Sequence, residues 1–445
     1  MNLYRLLAAR AEAGKPLRIG VIGAGKFGSM FLSQANRTPG MHVVGVADLD
    51  IGRAKDALAN VHWPTEQYAA ASFEDARTTG GCHVTNDSMA LIAADGLDVI
   101  VEATGNPAAG IRHAQAAFKH GRHMVMVNVE ADVLAGPLLA RKAREAGVVY
   151  SLAYGDQPAL IAEQVDWARA IGLEVIAAGK GTRYQPRFHQ STPATVWDHY
   201  GITAADAQSG NLNPQMFNSF LDGTKSGIEM AAVANACGLN PPKNGLAFPA
   251  VGFNQFAQKL IPAADGGLLE GRGMVEVVAS EARDGSPLPD DLRWGVYVTF
   301  DGETDYVKEC FGQYGVLTDQ SGRYAALWRP YHLIGLELGI SVASAGLRGE
   351  PTGCPEEFRG DVVATAKFAM KAGTELDGEG GYTVWGKLMP AADSLAMGGL
   401  PIGLAHGMTL KRDIAEGELI SWDDVNFDPA DETVQFRRAM EKAFA

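Results

Sequence analysis

The chain has little cysteine: only Cys82, Cys237, Cys310 and Cys354 occur in 445 residues. They lie far apart and form no CxxC or CxxH pair, so we expect neither a zinc cluster nor a disulfide framework. This use of cysteine fits a reducing compartment, and we expect the protein to be cytoplasmic.

Long apolar runs and clustered positive charge are also missing. No stretch of about 18 apolar residues occurs, so we expect no membrane span, and the charged start MNLYRLLAARAEAGKP does not resemble a signal peptide. The formal net charge of -14 argues against a nucleic-acid or anionic membrane surface, because both need clustered Lys and Arg. A small anionic substrate needs only a local basic pocket, so it remains possible.

The length predicts more than one domain. Apolar strand-like runs alternate with helical patterns over residues 1–150, which predicts an α/β fold with a Rossmann-type doubly wound parallel sheet. Residues 151–384 predict an α+β catalytic and dimerisation domain, in which VEVVAS, WGVYVTFDG and DYVKECFGQYGV alternate like antiparallel strands. Residues 385–445 predict a small β-rich C-terminal domain.

The first strand-like run, LRIGVIGAG, leads into a glycine turn formed by Gly23, Ala24, Gly25, Lys26, Phe27 and Gly28. Gly23 permits the tight turn, Gly25 lets a pyrophosphate approach the backbone, and Gly28 lets the helix pack close to the sheet. The free N–H groups of the helix N-terminus then face the phosphates. With a strand before it and a helix after it, this turn predicts a dinucleotide site. The alternatives are a turn in an unrelated α/β protein or a fold that binds S-adenosylmethionine.

Asp48 ends the next strand, twenty residues after Gly28. A carboxylate at this point accepts hydrogen bonds from the adenosine ribose of NAD and repels the extra phosphate of NADP. Arg53 and Lys55 follow closely and could compensate, as could Lys26. The residues alone favour NAD, unless Asp48 is only a helix cap.

Further candidates for cofactor binding follow the fourth and fifth strands. Thr104 and Gly105 lie in the turn after LDVIVEA, and Asn128 and Glu130 follow HMVMV. The carboxyl ends of parallel strands face the ligand crevice, so these residues should lie beside the cofactor. Ordinary capping of the helices is the competing interpretation.

Candidates for the chemistry lie in the second half. Lys180 and Arg183 stand between glycines after the strand LEVIAA and could hold a phosphate or carboxylate. Asp222 and Lys225 lie in DGTKSG, directly before a helix, where they could form an anion site or an acid–base pair. The competing interpretation is two solvated cations in a loop for Lys180 and Arg183, and an N-capping Asp or Thr at the helix start for the second pair.

The segment WRPYHLIG adds Arg329, which could clamp an anion, and His332, which could move a proton. Its alternative role is packing between domains. The sequence contains no HExxH pair, EF-hand loop or P-loop, but scattered carboxylates could still hold a divalent metal such as Mg or Mn.

These motifs together resemble homoserine dehydrogenase over roughly residues 1–240. The resemblance rests on the glycine turn, on EATG, and on VNVEADVLAGPLLARKAREAG, AYGDQPALI and GKGTRY. Asp222 and Lys225 resemble that family's catalytic Asp and Lys. Val129 stands where that family has a lysine, and the tail differs, so homoserine chemistry is the alternative rather than the first choice.

The whole chain is more similar to the DXR-like reductoisomerases. This resemblance rests on FLDGTKS, WRPYHL and a SAF-like tail that contains LKRDIAEGELISWDDV. It implies an NADPH-dependent homodimer that converts 1-deoxy-D-xylulose 5-phosphate to 2-C-methyl-D-erythritol 4-phosphate in the MEP pathway of isoprenoid biosynthesis and is inhibited by fosmidomycin. It moves the expected cofactor from NAD to NADPH, with NADH possible.

The implied reaction needs an anchor for the substrate phosphate and an electrophile at the reacting oxygens. Candidate cations and donors are Lys180, Arg183, Lys225, Ser226 and Arg329. Candidate proton carriers or metal ligands are Asp222, Glu229 and His332. A dehydrogenase for another small aldehyde or alcohol, or a binding protein without activity, are the competing hypotheses.

Overall fold

The computed structural model describes residues 2–210 and 212–445. They form two compact units. The first contains the described residues up to Leu160 together with His332–Glu356, and the second contains Ile161–Tyr331 and Glu357–Ala445. In the first unit, a parallel sheet has helices between its strands, and the second has a sheet of its own, so the predicted α/β class is confirmed.

The first unit is built on one six-stranded parallel sheet. Its strands are β1 (Leu17–Ile22), β2 (Met41–Ala47), β3 (His83–Thr85), β4 (Val99–Glu102), β5 (His123–Met126) and β6 (Tyr150–Leu152). They lie in the order β3-β2-β1-β4-β5-β6. The order reverses between β1 and β4, which is where doubly wound sheets bind ligands.

Helices connect these strands. They are α1 (Leu3–Glu12), α2 (Lys26–Ala35), α3 (Ile51–Asn60), α4 (Phe73–Thr79), α5 (Ser88–Ala93), α6 (Pro107–Lys119) and α7 (Val129–Glu145). Several begin at a capping side chain: Asp50 accepts from Arg53 N, Asn106 from Ala109 N and Asn128 from Ala131 N. Each cap satisfies a backbone N–H that the helix leaves unpaired and so fixes where the helix begins.

The second unit contains a four-stranded mixed sheet in the order β10-β9-β7-β8. The strands are β7 (Glu174–Thr182), β8 (Met274–Ala279), β9 (Val296–Asp301) and β10 (Tyr324–Arg329). The helices up to β10 are α8 (Gln157–Ala170), which crosses the boundary between the units, α9 (Val196–Tyr200), α10 (Ala204–Ser209), α11 (Pro214–Leu221), α12 (Thr224–Cys237), α13 (Phe256–Lys259) and α14 (Asp305–Gln313).

Two strand predictions need correction here. DYVKECFGQYGV forms mainly α14, because Thr304 caps its start by accepting a hydrogen bond from Val307 N and the chain then follows helical periodicity. VEVVAS does form a strand, β8, but it runs parallel to β7. WGVYVTFDG contains β9, which runs antiparallel to both β7 and β10 as expected.

The chain then adds α15 (Gly339–Arg348) to the first unit, where it packs against α1 and the central strands. The rest returns to the second unit as β11 (Gly360–Ala366), β12 (Val384–Pro390), α16 (Ala391–Met397), β13 (Thr409–Leu410), β14 (Val425–Asn426) and α17 (Glu432–Phe444). The expected boundary at 384/385 falls inside β12, which pairs with β11. A separate C-terminal domain therefore stays a prediction.

The buried apolar cores lie under the two sheets. Leu17, Ile19, Val21, Val99 and Val101 belong to a cluster in the first unit, and Ile176, Phe256 and Tyr297 to one in the second. In the described part of the chain, no helix is long and apolar enough to cross a membrane.

Candidate active site

The glycine turn has the shape that a dinucleotide phosphate needs. Gly23 has a φ of +97°, and a Cβ there would lie 2.5 Å from the carbonyl oxygen of Ala103. A Cβ on Gly28 would lie 2.2 Å from the Gly23 carbonyl oxygen, so only glycine allows this close packing. Gly25 is different, because no atom lies within 4 Å of its Cβ position. The space above Gly25 at the N-terminus of α2 can therefore take a phosphate.

Asp48 fixes this turn from the end of β2. Its carboxylate accepts hydrogen bonds from Ala24 N at 2.9 Å and Asp50 N at 3.0 Å, and it pairs with the Arg53 guanidinium. Burial alone would raise the pKa of Asp48, but these hydrogen bonds and the Arg53 charge outweigh it and lower the pKa. Asp48 therefore stays ionised, while the Arg53 side chain is 60% exposed.

Lys26 and Phe27 lie in the first turn of α2. Lys26 is exposed, whereas Phe27 is half-buried against the core. Gly335, which follows His332 in the returning segment, packs against the Phe27 carbonyl oxygen. Lys26 is thus the side chain of this turn that can reach an anion, and Phe27 serves packing.

At the end of β4, Thr104 and Gly105 are exposed at the edge that sequence analysis selected. The Thr104 hydroxyl donates to the Glu102 carboxylate at 2.5 Å. Asn128 is buried and uses its amide on Asn106 O and on the cap of α7. Glu130 is half-buried in the first turn of α7. Thr104 and Gly105 are therefore available to a ligand, and the amide of Asn128 holds the loop.

In the second unit, Lys180 of β7 forms a buried ion pair with Glu229 of α12. Both side chains are at most 7% exposed. β7 supplies Lys180 from its buried carboxyl-terminal half, and α12 packs on that strand. Sequence analysis named both residues but did not predict that they pair.

Asp222 is completely buried at the junction of α11 and α12. Its carboxylate accepts from Thr224 N at 2.9 Å and pairs with Lys367 Nζ at 2.8 Å. Burial raises the pKa of Asp222, although Lys367 and the Thr224 bonds oppose the shift. Lys367, which no motif marks, is its ion-pair partner. Lys225 is half-buried beside it in the first turn of α12.

Ser226 lies in the same turn and is buried. Arg183 turns its guanidinium to the Glu281 carboxylate and the His199 carbonyl oxygen, so its charge is already partnered. Arg329 ends β10 in the second unit and lies over the Tyr331 ring, whereas His332 belongs to the first unit. The segment WRPYHLIG is thus divided between the two units.

A histidine that sequence analysis missed lies next to Asp222. His189 Nδ1 donates to the Asp222 carbonyl oxygen at 2.7 Å, so Nε2 carries no proton and accepts from the Tyr184 hydroxyl at 2.9 Å. The His189 ring stacks on Trp385. Burial, together with the charges of Lys367 and Lys387, lowers the pKa of His189 to about 4. Tyr184 and His189 therefore form a neutral, hydrogen-bonded pair that can move a proton.

The candidate carboxylates do not fit a divalent metal. Glu229 is engaged by Lys180 and Asp222 by Lys367. Within residues 2–210 and 212–445, no group of three or more His, Cys, Asp or Glu side chains is arranged to hold a metal ion.

Two family models match consecutive parts of the chain. Residues 17–153 match the oxidoreductase family with an NAD-binding Rossmann fold, GFO/IDH/MocA. Residues 155–338 match the catalytic domain of oxidoreductase DRL. No curated protein matches the chain.

Several solved structures are similar to parts of the chain. An oxidoreductase from Agrobacterium radiobacter in complex with NAD+, L-tartaric acid and magnesium is 16% identical, with 38% of this chain and 44% of that chain covered and a TM-score of 0.27. Myo-inositol dehydrogenase from Lactobacillus casei is 17% identical, with 41% of this chain and 50% of that chain covered and a TM-score of 0.28. The 3-ketoreductase KijD10 from Actinomadura kijaniata is 19% identical, with 38% of this chain and 49% of that chain covered and a TM-score of 0.27. The chain thus spans half or less of the length of these proteins.

The family matches correct the identification made from sequence. Residues 17–153 match GFO/IDH/MocA rather than homoserine dehydrogenase, and residues 155–338 match the catalytic domain of oxidoreductase DRL. The prediction of a DXR-like reductoisomerase was therefore wrong, as were its reaction, the isoprenoid pathway and the inhibition by fosmidomycin. The glycine turn and the polar edge after β4 occur in many dinucleotide-binding domains, so they could not separate these families. The chain thus combines a Rossmann domain that matches an NAD-binding oxidoreductase family with a second, sheet-containing domain that matches an oxidoreductase catalytic domain.

Proposed function

We propose that the protein transfers hydride between NADPH and a small carbonyl compound that carries an anionic group. The observation that supports this most is the buried ion pair of Lys180 and Glu229 in the second unit. A lysine paired with a carboxylate can donate a hydrogen bond to a substrate oxygen and stabilise the negative charge that develops there during reduction. The nicotinamide supplies the hydride when it is bound.

The proton that completes the reduction comes from Tyr184 in this proposal. Its hydroxyl gives its proton to the substrate oxygen, and a proton from solvent then restores the hydroxyl. In the reverse reaction Tyr184 accepts the proton of the alcohol and passes its own to His189 Nε2, with which it already shares a hydrogen bond. The Nδ1 bond to the Asp222 carbonyl oxygen keeps His189 in the tautomer that this requires.

NADPH is proposed over NADH because of the charges beside Asp48. Arg53 neutralises the carboxylate that would repel a ribose phosphate, and its side chain remains 60% exposed. Lys26 is exposed in the first turn of α2, and Lys55 is exposed in the second turn of α3. An arginine fork of this kind suits a phosphate monoester.

The anionic group on the substrate is proposed from cations that lack a carboxylate partner. In the described part of the chain, Arg187, Arg293 and Lys387 form no salt bridge. The charges of Arg187 and Arg293 act on His199 and Tyr200, and that of Lys387 acts on His189. His189 in turn bonds the Tyr184 hydroxyl and the Asp222 carbonyl oxygen, so a phosphate or carboxylate would be attracted to this region.

The test follows NADPH oxidation with D-glyceraldehyde 3-phosphate and D-glyceraldehyde. We expect the phosphorylated aldehyde to have the lower KM. Lys180→Met should lower kcat about 100-fold, in line with the loss of one donor to a developing oxyanion, and leave NADPH binding unchanged. The same change at the exposed Lys259 of α13 is the control and should have no effect. Wild-type turnover in the Lys180→Met variant would refute the assignment of Lys180.

A further inference from the structure

Glu102, the last residue of β4, carries a carboxylate that is completely buried. Oε1 accepts hydrogen bonds from the Thr104 hydroxyl at 2.5 Å and from His113 Nδ1 at 3.2 Å. Oε2 is also buried and has no hydrogen-bond partner. A buried carboxylate oxygen without a partner costs stability, so a purely structural role does not explain this residue well.

Its charge is also poorly compensated. Among the described residues, His113 is the one ion-pair partner of Glu102, and the other ring nitrogen of His113 shares a hydrogen bond with Ser88 at 2.9 Å. No lysine or arginine of the described ranges pairs with this carboxylate. The electrostatic potential around Glu102 is therefore negative. Because the protein interior screens charge weakly, this potential extends over several ångströms.

The carboxylate lies at the part of the sheet edge that the nicotinamide half of the cofactor reaches. Ile22, the last residue of β1, is level with both Ala47 of β2 and Glu102 of β4. The Gly23 turn packs against the Ala103–Thr104 peptide. If Asp48 binds the adenosine ribose on the β2 side, a bound dinucleotide would run across β1 and end on the β4 side.

The charges along this track are therefore of opposite sign at its two ends. Lys26, Arg53 and Lys55 lie on the side of the phosphates and the adenosine, and Glu102 lies on the side of the nicotinamide. An oxidised nicotinamide ring is positively charged and a reduced ring is neutral. We propose that the Glu102 carboxylate favours the oxidised cofactor and thereby sets the balance between the bound oxidised and reduced forms.

The test needs no substrate and so does not depend on the proposed carbonyl chemistry. Calorimetric titration compares NADP+, NADPH and 2′-phospho-ADP-ribose, which lacks the nicotinamide, and NAD+ with NADH in parallel, so that the preferred coenzyme is always included. Glu102→Gln removes the charge, and Glu102→Asp retains it. The control is Glu145→Gln, at the exposed far end of α7.

We expect Glu102→Gln to weaken binding of the oxidised cofactor about tenfold, the size expected for one charge at roughly 10 Å. The reduced cofactor and the nicotinamide-free ligand should change by less than about twofold, and Glu102→Asp should keep the wild-type ratio. Equal weakening of all ligands by Glu102→Gln would overturn the proposal, since it would indicate a structural role alone.

If Glu102→Gln does not fold, the wild-type protein decides the question. In nicotinic acid adenine dinucleotide phosphate, a ring carboxylate cancels the positive charge of the oxidised ring. We expect it to bind at least about tenfold more weakly than NADP+, because Glu102 would repel that carboxylate. Equal affinity for the two ligands would overturn the proposal.

Discussion

The carboxylate of Asp48 accepts a hydrogen bond from the backbone N–H of Ala24 at 2.9 Å, which joins the end of β2 to the glycine turn. The same carboxylate pairs with Arg53. Asp48 therefore supports the turn in addition to any contact with a ribose, and the exposed Arg53 side chain is the part of the pair that can meet a phosphate.

Arg53→Ala should weaken the binding of NADPH much more than the binding of NADH. We expect NADPH affinity to fall about 10- to 100-fold, the size of a lost charge-assisted contact to phosphate, with NADH affinity within about threefold of wild type. Fluorescence titration of both coenzymes measures this. Arg5→Ala, at an exposed position on α1, is the matched control. A parallel loss of NADH affinity would show that Arg53 acts only through Asp48.

Asp132 should make the stability of the protein depend on pH. It is buried, and burial raises its pKa from 3.8 to about 7, opposed by a hydrogen bond from the Tyr150 hydroxyl. Because its pKa is higher in the folded state, protonated Asp132 contributes to the free energy of unfolding. This contribution is complete below about pH 4 and is lost as the pH rises through 7. Asp132→Asn imitates the protonated acid and should not show this loss.

Chemical denaturation of both proteins from pH 4 to pH 8 measures the effect. We expect similar stability at pH 4 and a variant that is more stable by about 4 kcal/mol at pH 8, from a difference of roughly three pKa units. Asp56→Asn, at an exposed site on α3, should show no such trend. A constant difference across this range would contradict the assigned protonation of Asp132.

Lys367 should be essential to the stability of the second unit. Its ammonium donates to the Asp222 carboxylate, Ser191 O and Gly381 O, all within 2.8 Å. Lys367→Met leaves a buried carboxylate uncompensated and should cost about 3–5 kcal/mol of unfolding free energy. Adding Asp222→Asn should recover part of that loss, because the uncompensated charge is removed.

Lys371→Met is the control for this experiment. Lys371 pairs with Asp413 at the surface, where the two side chains are 86% and 59% exposed. Such pairs contribute about 0–1 kcal/mol, so little change is expected. If Lys367→Met were as mild as Lys371→Met, the Asp222–Lys367 pair would not hold the junction of α11 and α12.

The first unit could be predicted well because its signals are local. Strand-like runs alternate with helical patterns, and Gly23, Gly25 and Gly28 satisfy a spacing whose steric reason is visible within a few residues. Asp48 was found for the same reason, since it ends the strand that follows. Its bond to Ala24 was not predicted, because a side chain's partner depends on the packing of the folded chain.

The second unit was predicted less well because its contacts join distant segments. Lys367 lies 145 residues after Asp222, and neither ATAKFAM nor any motif marks it. His189 lies in PRFHQ, where nothing in the pattern indicates its bond to the Asp222 carbonyl oxygen. The family was misidentified because short motifs such as FLDGTKS and WRPYHL do not determine the family or the substrate.

Gly25→Val tests most directly whether the glycine turn holds the coenzyme. Gly25 has a φ of -71° and open space at its Cβ position, so valine should fit without a loss of thermal stability. The side chain would occupy the space assigned to the phosphate. Titration with NADPH and NADH should show at least about 100-fold weaker binding to a folded variant. Wild-type affinity in that variant would contradict the account.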